Sequence, residues 1–350
     1  MEILKSKKYN ALLSATAESN RGIIEELSGT VVLITGATGM IGSCVTDLLM
    51  KANELFGLNC HVIATGRSKE RLEKRFGAYL DNDLFTGLSC DVMAPLGYTG
   101  RIDYIIHAAS NADPANFAKC PVDTMLANIT GTYNLLEYSR KNAVKRFLFV
   151  SSGEFYGSSE NIPDGFRETD LGKLDYSNSR ICYPEGKRSA EALCKCYEKQ
   201  YDTDTVIVRP CHIFGPTMTS SDSRAVSQFF RNAAASLDIV LNSPGNIERS
   251  QCYVADAATG ILTVLINGDK GEAYNISDMN LVMTIRKFAA AVAEAAGRKL
   301  IFNNPSDEQI YEPIKEKRQV LVNSKLLGIG WNIPESDKIQ ETVDILKEML

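Results

Sequence analysis

"VVLITGATGMIGSCV", residues 31–45, decides the fold. A short apolar run from Val31 to Thr35 reaches Gly36, and Gly36, Gly39 and Gly42 follow with GxxGxxG spacing as a helical pattern opens near Met40. The first glycine permits a tight turn, the second admits a phosphate close to the backbone, and the third lets helix and strand pack. The free N–H groups and positive dipole end of the helix suit a pyrophosphate. Glycine spacing alone is a weak signal. A strand before it, a helix after it and a place in the first βαβ unit turn it into a dinucleotide site.

The same rhythm continues outward. Strands are expected at "VVLIT" (31–35), "HVIAT" (61–65), "LFTGLS" (84–89), "DYIIHA" (103–108), "RFLFVS" (146–151) and "TVIVRP" (205–210), with "AYNIS" (273–277) as one more. Helical patterns lie near 40–56, 68–76, 121–142 and 184–201. Continuous apolar strands alternating with helices predict a parallel sheet covered on both faces. The fold class is therefore α/β: a Rossmann-like, doubly wound parallel sheet with a smaller C-terminal substrate-binding lobe. Residues 1–28 read as a helical N-terminal extension and 29–180 as the dinucleotide-binding domain, with 205–210 returning to its sheet. Residues 181–350 read largely as the lobe, with Ser-, Asn-, Gly- and Pro-rich loops and helices near 222–236, 284–297 and 336–349.

The chain has 350 residues, 44% hydrophobic and 23% charged, which excludes disordered and fibrous classes. A net charge of −5 without a long basic run argues against nucleic acid as a partner. No apolar run reaches the length of a membrane span, and "KSKK" at 5–8 reads as a solvated end. The start is too polar for a signal-peptide core. Nine scattered cysteines fit free thiols in a reducing cytoplasm. The CxC pair Cys194 and Cys196 lacks matching ligands, so no metal is expected.

An NAD site calls for an acid at the end of the second strand. Here the strand ends "ATGRSKERL", with Arg67 in place of an acid. A guanidinium there suits a 2′-phosphate and leans towards NADP; a solvated Arg67, or one stacked on adenine, is the alternative. Asp91 and Val92 are placed to meet the adenine edge, and Ala108, Ala109 and Ser110 to line the nicotinamide ribose. The full set of expected cofactor contacts is Gly36, Thr38, Gly39, Met40, Ile41, Gly42, Arg67, Asp91, Val92, Ala108, Ala109, Ser110 and Pro210, joined by Tyr183 and Lys187. The cofactor is NAD or NADP.

"CYPEGKR", residues 182–188, places Tyr183 and Lys187 four apart on one helix face. A neighbouring ammonium favours the phenolate, so Tyr183 is expected to take a proton from a hydroxyl while hydride leaves the same carbon. Ser152, at the carboxyl edge of the fifth strand where ligands of open sheets sit, is expected to hydrogen-bond that hydroxyl. "FLFVSSGEFYG" (147–157) adds a carboxylate, Glu154, two residues after that serine.

"TGATGMIG", "HAAS", "SSGEFYG", "CYPEGKR" and "RPCHIFGP" resemble the extended short-chain dehydrogenase/reductases that act on nucleotide sugars. The resemblance runs in order from about residue 29 to the end, and includes "RSQCYVADAATGIL" and "LLGIGW". Within that family the likeness is strongest to UDP-glucuronate decarboxylases, through "HAASNADPANF", "CYPEGKRSAEALC" and "FGPTMTSSDSRAVSQF". It implies that Ser152, Glu154, Tyr183 and Lys187 are catalytic and that Ser152, His212 and Arg249 bind substrate. His212 stands where an asparagine is usual, and Arg249 on the arginine that binds a diphosphate. It further implies a tightly held, regenerated cofactor and a homodimer through 121–142 and 184–201.

The carboxylate at 154 then acquires a meaning. Epimerisation at C4 needs serine, tyrosine and lysine alone, whereas chemistry at C5 needs one more proton-handling group. Oxidised at C4, a glucuronate becomes a β-keto acid that can lose carbon dioxide. A 4,6-dehydratase also uses the glutamate but usually carries an aspartate just before it, where this chain has Gly153. A 4-epimerase, a 4,6-dehydratase and a non-catalytic dinucleotide-binding regulator stand as the alternatives.

Overall fold

The computed structural model describes residues 3–159, 162, 164–304 and 318–350. In chain order the elements begin with α1 (Lys7–Ser19), α2 (Arg21–Glu25), β1 (Val31–Thr35), α3 (Met40–Phe56), β2 (His61–Gly66), α4 (Lys69–Phe76), β3 (Phe85–Ser89) and β4 (Tyr104–His107). There follow α5 (Pro114–Lys119), α6 (Pro121–Lys141), β5 (Arg146–Val150), α7 (Cys182–Tyr201), β6 (Thr205–Pro210), β7 (His212–Phe214), α8 (Ala225–Ala234), β8 (Ile239–Leu241) and β9 (Glu248–Tyr253). The chain closes with α9 (Val254–Asn267), β10 (Ala273–Ile276), β11 (Asp278–Thr284), α10 (Ile285–Ala296), β12 (Leu300–Phe302), α11 (Ser324–Leu327) and α12 (Lys338–Met349).

Among the described residues, seven strands form one parallel sheet in the order β3-β2-β1-β4-β5-β6-β10. The order reverses between β1 and β4, and Thr35 pairs with both Thr65 and His107, so three strand ends meet at one crevice. Alternate residues feed two cores. Val32, Ile34, Val62, Ala64, Ile106 and Val208 face the α3 and α9 side, while Leu33, Ile63, Ile105, Phe147, Phe149 and Ile207 face α6 and α7. Each such side chain is fully buried or nearly so, contributing about 1.5–3 kcal/mol when large.

The N-terminal segment is part of this body. Tyr9, Leu12, Leu13 and Ala17 of α1 are buried in the α3/α9 core. The Tyr9 hydroxyl donates to Asp47 of α3 (2.7 Å), which is also paired with Arg75 of α4. Ser6 caps α1 by accepting from Tyr9 N (3.0 Å) and itself donates to Glu348 of α12 (2.5 Å). The two ends of the chain are thus stitched together.

Sheet strands and their helices fall within a residue or two of the expected bounds. α9 escaped the periodicity reading because "VADAATGILTVLIN" has no polar face: it is buried between the sheet, α3 and α1. The lobe strands β7, β9 and β11, which form a small sheet, and the β8–β12 pair carry no clear sequence signal, since three of them are only three residues long and β9 and β11 are mixed in polarity without alternation. Residues after 181 also serve the main sheet: α7 packs on α6, and β6, α9 and β10 complete it.

Candidate active site

A cleft of about 810 Å³ opens at the carboxyl edge of the sheet, within the range typical of ligand sites. Gly36, Thr38, Gly39, Met40, Ile41, Gly42, Arg67, Asp91, Val92, Ala108, Ala109, Ser110 and Pro210 line it. So do Ser152, Glu154, Tyr183, Lys187 and His212. Arg249 does not. It lies on β9, and its Nε is buried with no hydrogen-bond partner among the described residues.

The residues at the glycine turn fit a dinucleotide. Gly36 has φ +66°, and a Cβ there would come within 2.7 Å of Ala108 O. A Cβ on Gly42 would meet Gly36 O at 2.5 Å. Strand, turn and helix can approach this closely only with glycine at both places, and the approach leaves the N-terminus of α3 open to a phosphate. Thr217 donates to Met40 O (2.9 Å), tying the lobe to the same helix end.

The serine and glutamate sit on the short turn after β5. Ser152 accepts from Glu154 N (3.2 Å), which leaves its own O–H free to donate. Two arginines fasten this turn from below. Arg188 of α7 donates to Phe155 O (2.7 Å), and Arg209 of β6 donates to the Tyr156 hydroxyl (2.8 Å) while gripping the buried Glu191 of α7 (2.7 and 3.1 Å). Removing one partner of such a buried pair costs about 3–5 kcal/mol, so the turn is held firmly.

Tyr183 and Lys187 occupy successive turns of α7, both buried. Burial pushes the Tyr183 phenol above its ordinary value, against the Ser152 hydrogen bond; Glu154 adds to the rise and Arg224 opposes it. Lys187, expected to poise the phenol, instead directs its ammonium to Val150 O (2.8 Å), with Nζ 5.7 Å from the Tyr183 ring centroid. Burial pulls that ammonium down to about 7, partly opposed by Glu191. Phe117 of α5 stacks on Tyr183 at 4.5 Å between ring centroids.

The substrate end carries paired charges. Arg180 donates to Glu154 (3.0 Å), and Arg224 is clamped by Asp222 (2.6 Å) and reaches Ile213 O (3.1 Å). Burial, then the Arg249 charge, drives half-buried His212 down to about 3; its Nε2 lies 3.3 Å from Gln319 Oε1. Neutral at physiological pH, His212 presents a polar ring rather than a further positive charge beside Arg249, Arg224 and Arg180. Asp113 receives Ser223 N (3.1 Å), joining the α5 segment to the loop before α8.

Phe117, Arg180, Arg224 and Gln319 were not singled out from the sequence. Arg180, three residues before Tyr183 on the same turn-to-helix entry, had a usable signal in that spacing. Phe117 and Arg224 lie in "HAASNADPANF" and "FGPTMTSSDSRAVSQF", whose family likeness is a usable signal; Gln319 comes from a distant segment and has none.

These features are those of a nicotinamide-dependent oxidoreductase fold with a polar substrate cleft, and comparison with known proteins agrees. The model of the NAD dependent epimerase/dehydratase family matches residues 32–277, and the chain belongs to that family. UDP-glucuronic acid decarboxylase 6 of Arabidopsis thaliana is 30% identical over 324 residues, covering 91% of this chain and 88% of the relative. UDP-glucuronic acid decarboxylase 1 of Xenopus tropicalis is 29% identical over 320 residues, 91% and 72% of the two chains. Among solved structures, UDP-glucose 4-epimerase from Thermotoga maritima with UDP-glucose superposes with a TM-score of 0.75 at 21% identity, covering 91% and 99%. DesIV, a dTDP-glucose 4,6-dehydratase from Streptomyces venezuelae with NAD bound, gives 0.73 at 21% identity, covering 91% and 97%. The chain is thus an NAD(P)-dependent enzyme of the nucleotide-sugar-modifying class. Among the described residues no group of side chains forms a metal site, and no helix is long and apolar enough to cross a membrane.

Proposed function

We propose that this enzyme removes the carboxylate of a UDP-linked glucuronate, giving the UDP-pentose and carbon dioxide, in precursor synthesis for polysaccharides. The observation that carries this reading is the pairing of Glu154 with a glycine before it. A Cβ on Gly153 would stand 3.0 Å from Leu321 Cδ1 and 3.3 Å from Pro210 O, so the acid of a 4,6-dehydratase would fit there only if these neighbours gave way by a few tenths of an ångström. A 4-epimerase has no use for Glu154 beside Ser152 and Tyr183. The decarboxylase relatives at about 30% identity support the same choice.

When bound, the nicotinamide cofactor supplies acceptance of hydride from C4 and its return to C4. Tyr183 takes the C4 hydroxyl proton, and Ser152 holds that oxygen in place. Lys187, anchored on Val150 O, lines the same cleft and is assigned to the cofactor. With C4 a ketone, the bond from C5 to the carboxylate breaks and its electron pair passes into the C4 carbonyl as an enolate. A proton then adds to C5, with Glu154 steering the delivery. Tyr183 returns its proton to the C4 oxygen. The net change is one proton taken up and one carbon dioxide released. Neutral His212, which lines the cleft, is assigned to the nucleotide sugar, and Arg249, beside the cleft with an Nε that has no hydrogen-bond partner among the described residues, to its diphosphate.

The assembly we infer is a homodimer through α6 and α7, whose outward face carries exposed Val122, Leu126, Tyr133 and Tyr201. The free cysteines support a reducing, cytoplasmic setting. Purified protein incubated with a panel of nucleotide sugars, its products read by mass, tests the reaction. Loss of carbon dioxide from UDP-glucuronate alone is expected. Loss of water from a neutral hexose, or isomerisation without mass change, would replace this reading with dehydration or epimerisation.

A further inference from the structure

We infer that Phe117 of α5 is a positioning residue for Tyr183: strapped to the lobe through Asp113, it lies flat on the phenol ring and holds the hydroxyl towards Ser152. The inference rests on the reading of Tyr183 as the proton acceptor, and not on the step that follows hydride transfer. The need for such a support comes from Lys187. Its ammonium donates to Val150 O (2.8 Å) and lies 4.7 Å from the centroid of the Phe149 ring, against 5.7 Å from that of Tyr183. The side chain one helical turn beyond Tyr183 is therefore engaged elsewhere and does not fix the phenol.

The Phe117 ring lies 4.5 Å from that of Tyr183, with 17° between the planes. A phenol oxygen sits on the Cβ–Cγ axis, so a swing about χ1 is what displaces it, and a ring flat against the phenol blocks that swing on the α5 side. With Cys182 the two rings form a small apolar cluster apart from both sheet cores, and both are buried although Tyr183 lines the cleft. Arg180, which donates to Glu154, also lies over the Phe117 ring at 5.6 Å from its centroid. α5 has six residues and packs on α6 and on the single turn Ser179–Ile181. Too short to be stable by itself, it is tied at its start: Asp113 accepts from Ser223 N (3.1 Å) and from the Ser223 hydroxyl. The lobe loop that carries Ser223 is fastened in turn, Arg224 by Asp222 (2.6 Å) and Thr217 to Met40 O (2.9 Å). The seating of the lobe is in this way passed through Asp113 and Phe117 to the phenol.

The test is stopped-flow measurement of nicotinamide reduction as the holoenzyme meets UDP-glucuronate, beside equilibrium binding of UDP. Phe117→Leu keeps most of the bulk but not the flat face. It should slow reduction about tenfold or more, on the scale that a small misplacement of a reacting group costs, while UDP affinity stays that of wild type. Phe117→Tyr restores the ring and should return the rate to near the wild-type value. Asp113→Ala should slow reduction in the wild-type background and add little to Phe117→Leu, because both act through one stack. An undiminished rate in Phe117→Leu, a loss that tyrosine does not restore, or a parallel loss of UDP affinity overturns the inference. Independent losses from the two substitutions overturn the strap. No reduction in wild type overturns the reading on which the inference rests, and shows before any variant is compared.

Discussion

Arg180 donates to Glu154 across 3.0 Å, at the point where the turn after β5 faces the entry to α7. The carboxylate that distinguishes this site is therefore held by a cation three residues before Tyr183 in the chain. Replacing Glu154 with Gln keeps size and hydrogen-bonding but removes the proton-handling group. The variant should bind the nucleotide sugar with near-normal affinity and release carbon dioxide about 100-fold or more slowly, the usual scale of general acid–base catalysis. Equilibrium binding beside single-turnover product mass separates the two effects. Parallel loss of both would make Glu154 a structural residue.

Tyr183→Phe retains the stacking on Phe117 and the burial of the ring but removes the phenol. No reduced nicotinamide should accumulate on mixing with substrate, and turnover should fall by about 100-fold or more. Stopped-flow absorbance reads this directly. Near-normal turnover would move the proton acceptor elsewhere.

Gly153→Asp probes the choice between decarboxylation and dehydration. Its Cβ would crowd Leu321 and the fixed carbonyl of Pro210, so a loss of about 1–3 kcal/mol is expected from overpacking. Thermal denaturation should show it, and no dehydrated product should appear. A stable variant that dehydrates would show the position to be roomier than the geometry implies.

His107 is buried between Phe147, Phe149 and Thr35, and burial, with the Lys187 charge, pulls its imidazole down to about 3. Between that value and about 6.5 the unfolded chain binds a proton that the folded chain refuses, so stability rises with pH through this window. Conversely, it should fall by about 1.4 kcal/mol per pH unit as pH drops from 6 to 5, from this group alone. Urea midpoints of wild type and His107→Gln should differ in slope by about one proton. Identical slopes would mean that His107 titrates normally.

Val122, Leu126 and Tyr133 lie on one helix, α6, and are exposed by 67%, 40% and 48%. Leu126→Glu/Tyr133→Glu should leave the monomer folded and reduce the sedimenting species from dimer to monomer. A dimer unaffected by both charges would place the interface on another face.

How far this was readable in advance follows from burial pattern. β1, α3 and β6 were delimited to the residue because strand and helix each carry their own periodicity and end at a glycine or proline. α9 was missed because a helix buried on every side erases the polar face that marks a helix. In the site, Tyr183 and Lys187 were legible because four residues on a helix bring them together. Gln319 was not, since its approach depends on how the lobe folds over the sheet edge, and the stacking of Phe117 on Tyr183 follows only from the packing of α5. The Glu154–Arg180 pair lies between these cases: both residues flank recognisable motifs, but only the folded turn brings them into contact.

The central claim is that oxidation at C4 is transient and drives loss of the C5 carboxylate. UDP-glucuronate carrying deuterium at C4, converted by the purified holoenzyme, tests it most directly. The account predicts a UDP-pentose lacking the carboxylate and retaining the deuterium at C4, because the hydride leaves and returns within one closed site. A carboxylate-free product with the label lost, or an unchanged acid, would contradict it.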